Sequence, residues 1–152
     1  HPLAGIDLQI QLEELAFKLG GSNYSAPVQL VGDFLNGLPT KKLASAAPSY
    51  KPGVTPVDLS SELPAFVVES IREAILAFDE KIRGFAMYDA ILTGIETRTS
   101  SPVSIKRDKQ FQSINTRGLY PAGEGAGYAG GILSAGIDGI KVAEAVALDL
   151  LG

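Results

Sequence analysis

The sequence predicts a mixed α+β fold, and three observations indicate this class. Three segments have the apolar periodicity and the start and stop residues of helices, at about 7–19, 63–83 and 129–151. Three shorter segments that lie between the last two helices have the composition of strands, at about 90–99, 103–107 and 118–122. The length of 152 residues is enough for one hydrophobic core.

The first 60 residues combine one helix with less regular chain. Leucines recur at helical spacing over Leu8–Leu19, and although the alternation over Ile6–Leu12 also fits a strand, the helix formers and the Gly20-Gly21 stop favour a helix. Val28–Leu35 is a short apolar segment of uncertain type. The four prolines of Gly37–Leu59 predict an irregular segment of about twenty residues.

The central helix has the clearest pattern. Ser60 or Ser61 is the expected N-cap, and Pro64 lies in the first turn. Its predicted apolar face consists of Leu63, Phe66, Val67, Ile71, Ile75, Phe78, Ile82 and Phe85. After it, alternating residues over Ala90–Thr99 and a turn at Ser100–Pro102 predict a hairpin with a second strand over Val103–Arg107.

The segment Gly118–Ile132 is the most informative part of the chain. An apolar strand is predicted at Leu119–Ala122, followed by five glycines in nine positions and a helix that begins near Ala129. Three of these glycines fit the G-x-G-x-x-G pattern of dinucleotide sites. That pattern needs a second strand with an acidic residue about 20 positions further on, and none is expected before Gly152. A glycine turn that only allows close helix packing remains an alternative.

Composition excludes several classes of function. The net charge of −4 and the pI near 5.0, without a basic stripe, argue against nucleic acid as a partner. The chain has no cysteine and its only histidine is His1, so no metal ligand set and no serine triad are expected. No segment reaches the apolar length of a membrane span, and a cytoplasmic location is expected. No catalytic residue is identified from the sequence.

The glycine segment resembles the C-terminal, flavin-contacting segment of FAD-dependent, NAD(FAD)-utilising dehydrogenase-like proteins. The blocks Ala26–Phe34, Gly94–Pro102 and Ser134–Lys141 are also similar to that family. The resemblance implies the C-terminal part of a FAD-type fold with two dinucleotide-binding domains. Residues 1–100 would form a substrate-side or inserted region, and residues 101–152 the last piece of the FAD-binding domain.

The same resemblance implies the site residues. Glu124 would bind the ribityl or phosphate region of FAD, and the amide of Gly125 would lie near the pyrophosphate. The complete set implied to bind the cofactor is Gly123, Glu124, Gly125, Gly130, Gly131 and Ile132. On the substrate side the candidates are Thr97, Arg98 and Thr99; Arg98 would recognise an anion, with an ion pair to Glu96 as the alternative.

The partners implied are a preceding FAD-binding region of the same protein and NAD(P)H. This chain alone is not expected to hold FAD, and surfaces that pack on the preceding region are expected to be exposed and to favour a homodimer. Two alternatives to an oxidoreductase part stay open. One is a nucleotide- or phosphate-binding module without catalysis, and the other is a structural or oligomerisation domain.

Overall fold

The computed structural model describes residues 1–152 and has a mixed α+β fold, which confirms the predicted class. Its helices and strands are α1 Ala4–Leu19, β1 Ala26–Leu30, α2 Val31–Asn36, β2 Val54–Pro56, α3 Ala65–Lys81, β3 Ile91–Thr93 and α4 Ile132–Leu151. Two compact units form. The sheet unit is Leu12–Ile95, and the glycine unit is His1–Gln11 together with Glu96–Gly152.

The sheet unit is organised around the central strand β1. The strand order is β2-β1-β3, with β2 parallel and β3 antiparallel to β1. The registers place Ala26 opposite Val54 and Leu30 opposite Ile91. Because β1 has a neighbour on each side, its backbone is paired along both edges, and residues 27–30 are buried. The segment of uncertain type is therefore the end of a strand followed directly by a short helix.

The apolar core of the sheet unit lies where α2 and α3 pack together. Phe34 is only 1% exposed and forms a cluster with Val31, Val68 and Ile75. The predicted apolar face of α3 is correct at Ile75 but wrong at Phe66, which is 69% exposed, and at the exposed residues Phe78, Ile82 and Phe85. The helix is rotated so that Val68, which the predicted face omits, is buried in place of Phe66.

Two buried polar side chains connect β1 to the irregular segment that follows α2. Gln29 donates to the carbonyl of Leu38 at 2.8 Å and accepts the N–H of Leu59 at 2.8 Å. Thr40 accepts the N–H of Leu30 at 2.9 Å and donates to Asp33 at 2.6 Å. Since a buried polar group without a partner costs about 1–3 kcal/mol, these bonds fix the path of a segment that has no regular structure.

Three strand predictions need correction. The strand predicted at 90–99 is limited to β3, because Ile91–Thr93 pair with β1. The hairpin with residues 103–107 is wrong, since the N–H of Ile105 bonds to Ala126 and only an isolated bridge joins Arg107 to Ser113. The strand predicted at 118–122 is also absent, because no strand of the chain pairs with it and Pro121 has no N–H to donate.

Helix α4 begins three residues later than expected, because the extended backbone of Gly131 forms its N-cap. Val142 is its only buried residue. Its large apolar side chains are exposed, namely Ile132, Leu133, Ile137, Ile140, Leu148, Leu150 and Leu151. None of the four helices combines the length and apolarity that a membrane crossing requires.

Candidate glycine-turn site

The glycine segment folds into a closed turn in the glycine unit. Glu124–Ala126 form one turn of 3-10 helix between Gly123 and Gly127, whose φ angles are +63° and +78°. The N–H of Tyr128 donates to the carbonyl of Gly123 at 3.1 Å, which joins the two ends of the turn. Positive φ is adopted by glycine without the steric penalty that other residues carry, so the turn itself favours glycine at these two positions.

A largely buried ion pair anchors this turn. The guanidinium of Arg107 binds both carboxylate oxygens of Asp138, at 2.6 and 2.9 Å, and the two side chains are 9% and 14% exposed. The N–H of Gly123 donates to the same carboxylate at 2.7 Å. The Arg107 hydrogen bonds and the Gly123 N–H lower the pKa of Asp138 from its ordinary value to about 2, against the opposing effect of burial. Both groups are therefore charged at neutral pH.

The start of α4 is held by its own local hydrogen bonds. The hydroxyl of Ser134 and the N–H of Ala135 donate to the carbonyl of Gly131, at 2.9 and 2.8 Å. Ile132, the first residue of the helix, is 93% exposed. Gly130 and Gly131 thus connect the glycine turn to α4 without a side chain that would cover the end of the helix.

A cavity of about 330 Å³ lies beside the turn. Its lining residues are Ser100, Ser101, Glu124, Gly127, Tyr128, Ala129 and Gly130. The fold therefore brings the serine turn that follows Thr99 next to the glycine turn. Of the residues predicted to bind a cofactor, Glu124 and Gly130 line this cavity, whereas Gly123, Gly125, Gly131 and Ile132 do not.

The substrate-side candidates precede the cavity lining. The side chain of Gln9 donates to the carbonyls of Thr97 and Ser100, and the Glu96 carboxylate accepts the backbone N–H of Arg98 at 3.2 Å. Thr97 is half-buried, while Arg98 and Thr99 are exposed. These contacts fix the backbone that leads into Ser100, but Thr97, Arg98 and Thr99 do not themselves line the cavity.

A second cleft of about 600 Å³ lies along α4 and contains none of the predicted site residues. Tyr120, Gln112 and Lys141 are among its lining residues. A hydrogen bond to Asp149 raises the pKa of Tyr120 above its ordinary value, and Gln112 donates to the Tyr120 hydroxyl at 2.8 Å. The carboxylates and lysines of this cleft carry both signs of charge. No group of three or more His, Cys, Asp or Glu side chains is placed to hold a metal ion.

Sequence reasoning missed two residues that anchor the turn, Arg107 and Asp138. Arg107 and Asp138 are 31 positions apart, and no spacing rule connects an arginine after a loop with an acid on a helix. The available signal was the polar stripe of α4, because Asp138, Lys141 and Glu144 interrupt its small and apolar residues. Ser100 and Ser101 were predicted as a turn, and the family resemblance implied that their block faces the flavin ring or the substrate; both line the cavity beside the glycine turn.

Comparison with known proteins adds a family. The family described as "FAD-dependent protein, C-terminal domain-like" matches residues 1–99, which lie before the glycine turn. A protein of Clostridium beijerinckii (strain ATCC 51743 / NCIMB 8052), described as an uncharacterized protein, is 58% identical over 143 residues. That alignment covers 94% of this chain and 27% of the relative, so the chain spans about a quarter of the relative's length. Because the family match includes 99 of the 152 residues, the chain belongs to the FAD-dependent proteins with this C-terminal-like domain.

Proposed function

We propose that this chain is the C-terminal part of a FAD-dependent oxidoreductase and that its glycine turn contacts part of the flavin cofactor. The family match supports FAD as the cofactor of the full-length protein. The observation that carries the assignment of the site is the cavity of about 330 Å³ that the glycine turn shares with Ser100 and Ser101. Ligand pockets range from about 300 to 1,000 Å³, so this cavity fits one portion of FAD and requires contacts from elsewhere.

The glycines themselves support an approach from outside the chain. A Cβ atom added at Gly125 would meet no atom within 4 Å, and one added at Gly130 would meet only the Ser100 hydroxyl at 3.7 Å. Neither residue has a positive φ. The fold of this chain therefore does not require glycine at either position. Glycine is favourable there if another group comes close to the backbone, as in phosphate and dinucleotide sites.

The proposed roles follow from this arrangement. The Glu124 carboxylate would accept hydrogen bonds from ribityl hydroxyl groups, and the backbone of Gly125, Gly130 and Gly131 would admit the phosphate region. The N–H of Gly123 already donates to Asp138, so Gly123 would act through its conformation. FAD supplies the redox chemistry when bound, and this chain, which has no cysteine and no histidine after His1, orients and encloses it. The hydride donor would be NAD(P)H.

We further propose a division of roles along the chain, with a boundary that differs from that of the two compact units, because Thr97–Thr99 belong to the glycine unit. We assign residues 1–100 to the substrate side, with Thr97, Arg98 and Thr99 near a carboxylate or another anion, and residues 101–152 to the FAD-binding part. The exposed apolar side chains of α4 would pack against the preceding FAD-binding region of the same protein. A homodimer through this surface is the competing arrangement.

The test is Gly130→Val in the full-length protein. The Cβ of the valine would meet only the Ser100 hydroxyl, at 3.7 Å, and its methyl groups would occupy the cavity, so we expect loss of bound flavin from a folded protein. Flavin content is measured by visible absorbance after denaturation, and Ala47→Val, at an exposed position of the sheet unit, is the matched control. Full flavin occupancy in Gly130→Val would contradict the assignment of this site.

A second measurement separates an oxidoreductase from a binding module. We expect NADH or NADPH to bleach the flavin absorbance of the full-length protein under anaerobic conditions. Flavin that stays oxidised with both nucleotides would favour the module without catalysis. Absence of flavin from the wild-type protein, together with a stable oligomer, would favour the structural domain.

A further inference from the structure

Arg107 contacts three separate parts of the glycine unit. Its guanidinium binds Asp138 of α4 through both nitrogens and donates to the carbonyl of Pro121 at 2.7 Å. The central carbon of the guanidinium, Cζ, lies 3.8 Å from the ring centroid of Tyr128 and 4.7 Å from that of Phe111. The backbone N–H of Arg107 also donates to the Tyr128 hydroxyl at 3.1 Å. This set of contacts suits a planar guanidinium, and a lysine cannot reproduce it.

These bonds act on both ends of the glycine turn. Asp138 accepts the N–H of Gly123, the first residue of the turn, and Arg107 packs on Tyr128, the residue after it. The turn is also closed by the hydrogen bond from Tyr128 to Gly123. Because Asp138 belongs to α4, the same ion pair sets the position of the turn relative to that helix. Glu124 and Gly125, two of the residues that the proposed function assigns to FAD, lie between the two ends.

We propose that Arg107 and Asp138 are positioning residues of the flavin site, which fix the glycine turn in the conformation that accepts the cofactor. The inference rests on the proposed function, because it assumes that FAD contacts this turn. Neither residue needs to touch the cofactor. The charges of the pair satisfy each other within the protein, so their effect on a ligand passes through the geometry of Gly123 and Tyr128.

The experiment compares variants of the full-length protein by FAD titration of the apoprotein. Asp138→Asn keeps the size of the side chain and removes the ion pair, and we expect FAD binding about tenfold weaker, which corresponds to about 1.4 kcal/mol. Glu144→Gln removes one negative charge from the same helix and serves as the control, with unchanged affinity expected. The visible circular dichroism of the residual bound flavin should change in Asp138→Asn alone, because the turn holds the cofactor in another geometry.

A double-mutant cycle tests whether the two residues act together. Arg107→Lys keeps the positive charge but removes the two-nitrogen contact with Asp138, so it should weaken FAD binding to a similar extent. The double variant should bind FAD no more weakly than either single variant. Additive losses would overturn the proposal. Where Asp138→Asn fails to fold, Arg107→Lys carries the measurement, and unfolding of both variants would mean a structural role and overturn it as well.

The outcomes also separate this inference from the proposed function. Loss of flavin in Gly130→Val with unchanged affinity and circular dichroism in Asp138→Asn would overturn only the positioning role. Full flavin occupancy in Gly130→Val would overturn the proposed function and, with it, this inference.

Discussion

The two units of this protein are stabilised in different ways. The sheet unit has a paired central strand, an apolar cluster around Phe34 and buried polar side chains that all have partners. The glycine unit has one long helix with a single buried residue, and its turns depend on the Arg107–Asp138 ion pair and local hydrogen bonds. A hydrophobic core thus stabilises the first unit, whereas specific polar contacts determine the conformation of the second.

This difference shows where a ligand or a partner can change the structure. Core packing is insensitive to small external contacts, because a loss of several kcal/mol is needed to disturb it. A turn fixed by a few polar bonds has less of its stability in its own packing, and bound groups contribute a larger share. The glycine unit also exposes most of the apolar side chains of α4. In the sheet unit, by contrast, the apolar residues of the central strand β1 are buried.

The largest effect is expected from Phe34→Ala in the sheet unit. Phe34 is 1% exposed, and removal of its ring leaves a cavity against Val31, Val68 and Ile75. We expect a loss of about 3–5 kcal/mol in the free energy of unfolding of this unit. Native-state hydrogen exchange of the β1 amides in the full-length protein measures it.

Phe66→Ala is the matched control, because the same ring is removed from an exposed position of α3. A loss below about 1 kcal/mol is expected there. Equal losses in both variants would show that the core is not centred on Phe34 as described.

An intermediate effect is expected from Gly127→Ala in the glycine unit. The φ of Gly127 is +78°, and an added Cβ would lie 2.6 Å from the carbonyl oxygen of Val103. Backbone strain and this overlap together predict a loss of about 2–3 kcal/mol. Faster hydrogen exchange of the Tyr128 amide, which closes the turn, would report it.

Gly125→Ala in the same turn tests the explanation. Its Cβ meets no atom within 4 Å and its φ is not positive, so a change below about 0.5 kcal/mol in the stability of the flavin-free protein is expected. If Gly125→Ala and Gly127→Ala lowered the free energy of unfolding equally, backbone strain at Gly127 would not explain the loss.

The elements with strong local signals were predictable from the sequence. The periodicity of α1 and α3 located both helices to within a few residues, and the last helix was also predicted, although its start was placed three residues too early. The rotation of α3 was not predictable in the same way, because Phe66 and Val68 are both apolar and only the position of Phe34 decides between them. The mixed fold class thus follows from patterns along the chain, and the choice of buried residues requires the tertiary structure.

Strands and the site depended on distant partners, which a single sequence does not show. Residues 103–107 and 118–122 have the composition of strands but no paired neighbour, since composition does not fix hydrogen bonds between distant segments. The glycine turn was found from its residues alone. Its anchor was missed, because the bond between Arg107 and Asp138 joins residues that no local pattern relates.

The smallest effect is expected from pH in the glycine unit. The pKa of Asp138 is about 2 in the folded protein, below its ordinary value of 3.8, so its ion pair contributes stability that is fully present above about pH 4. That contribution, about 1–2 kcal/mol after allowance for solvent, is lost as the pH falls from about 4 through about 2. Unfolding measured across this range should therefore show a steeper loss of stability in the wild type than in Asp138→Asn.

The exposed pair Glu14–Lys18 in the sheet unit provides the comparison. Its charged atoms are 4.0 Å apart and its side chains are 65% and 72% exposed, against 14% and 9% for Asp138 and Arg107. Solvent screens such a pair, so Glu14→Gln should leave the acid limb of the stability profile unchanged. Equal flattening of that limb by Glu14→Gln and Asp138→Asn would show that neither burial nor the hydrogen bond from the Gly123 N–H distinguishes the Asp138–Arg107 pair from the exposed pair. The contrast between the two units would then rest on apolar packing alone.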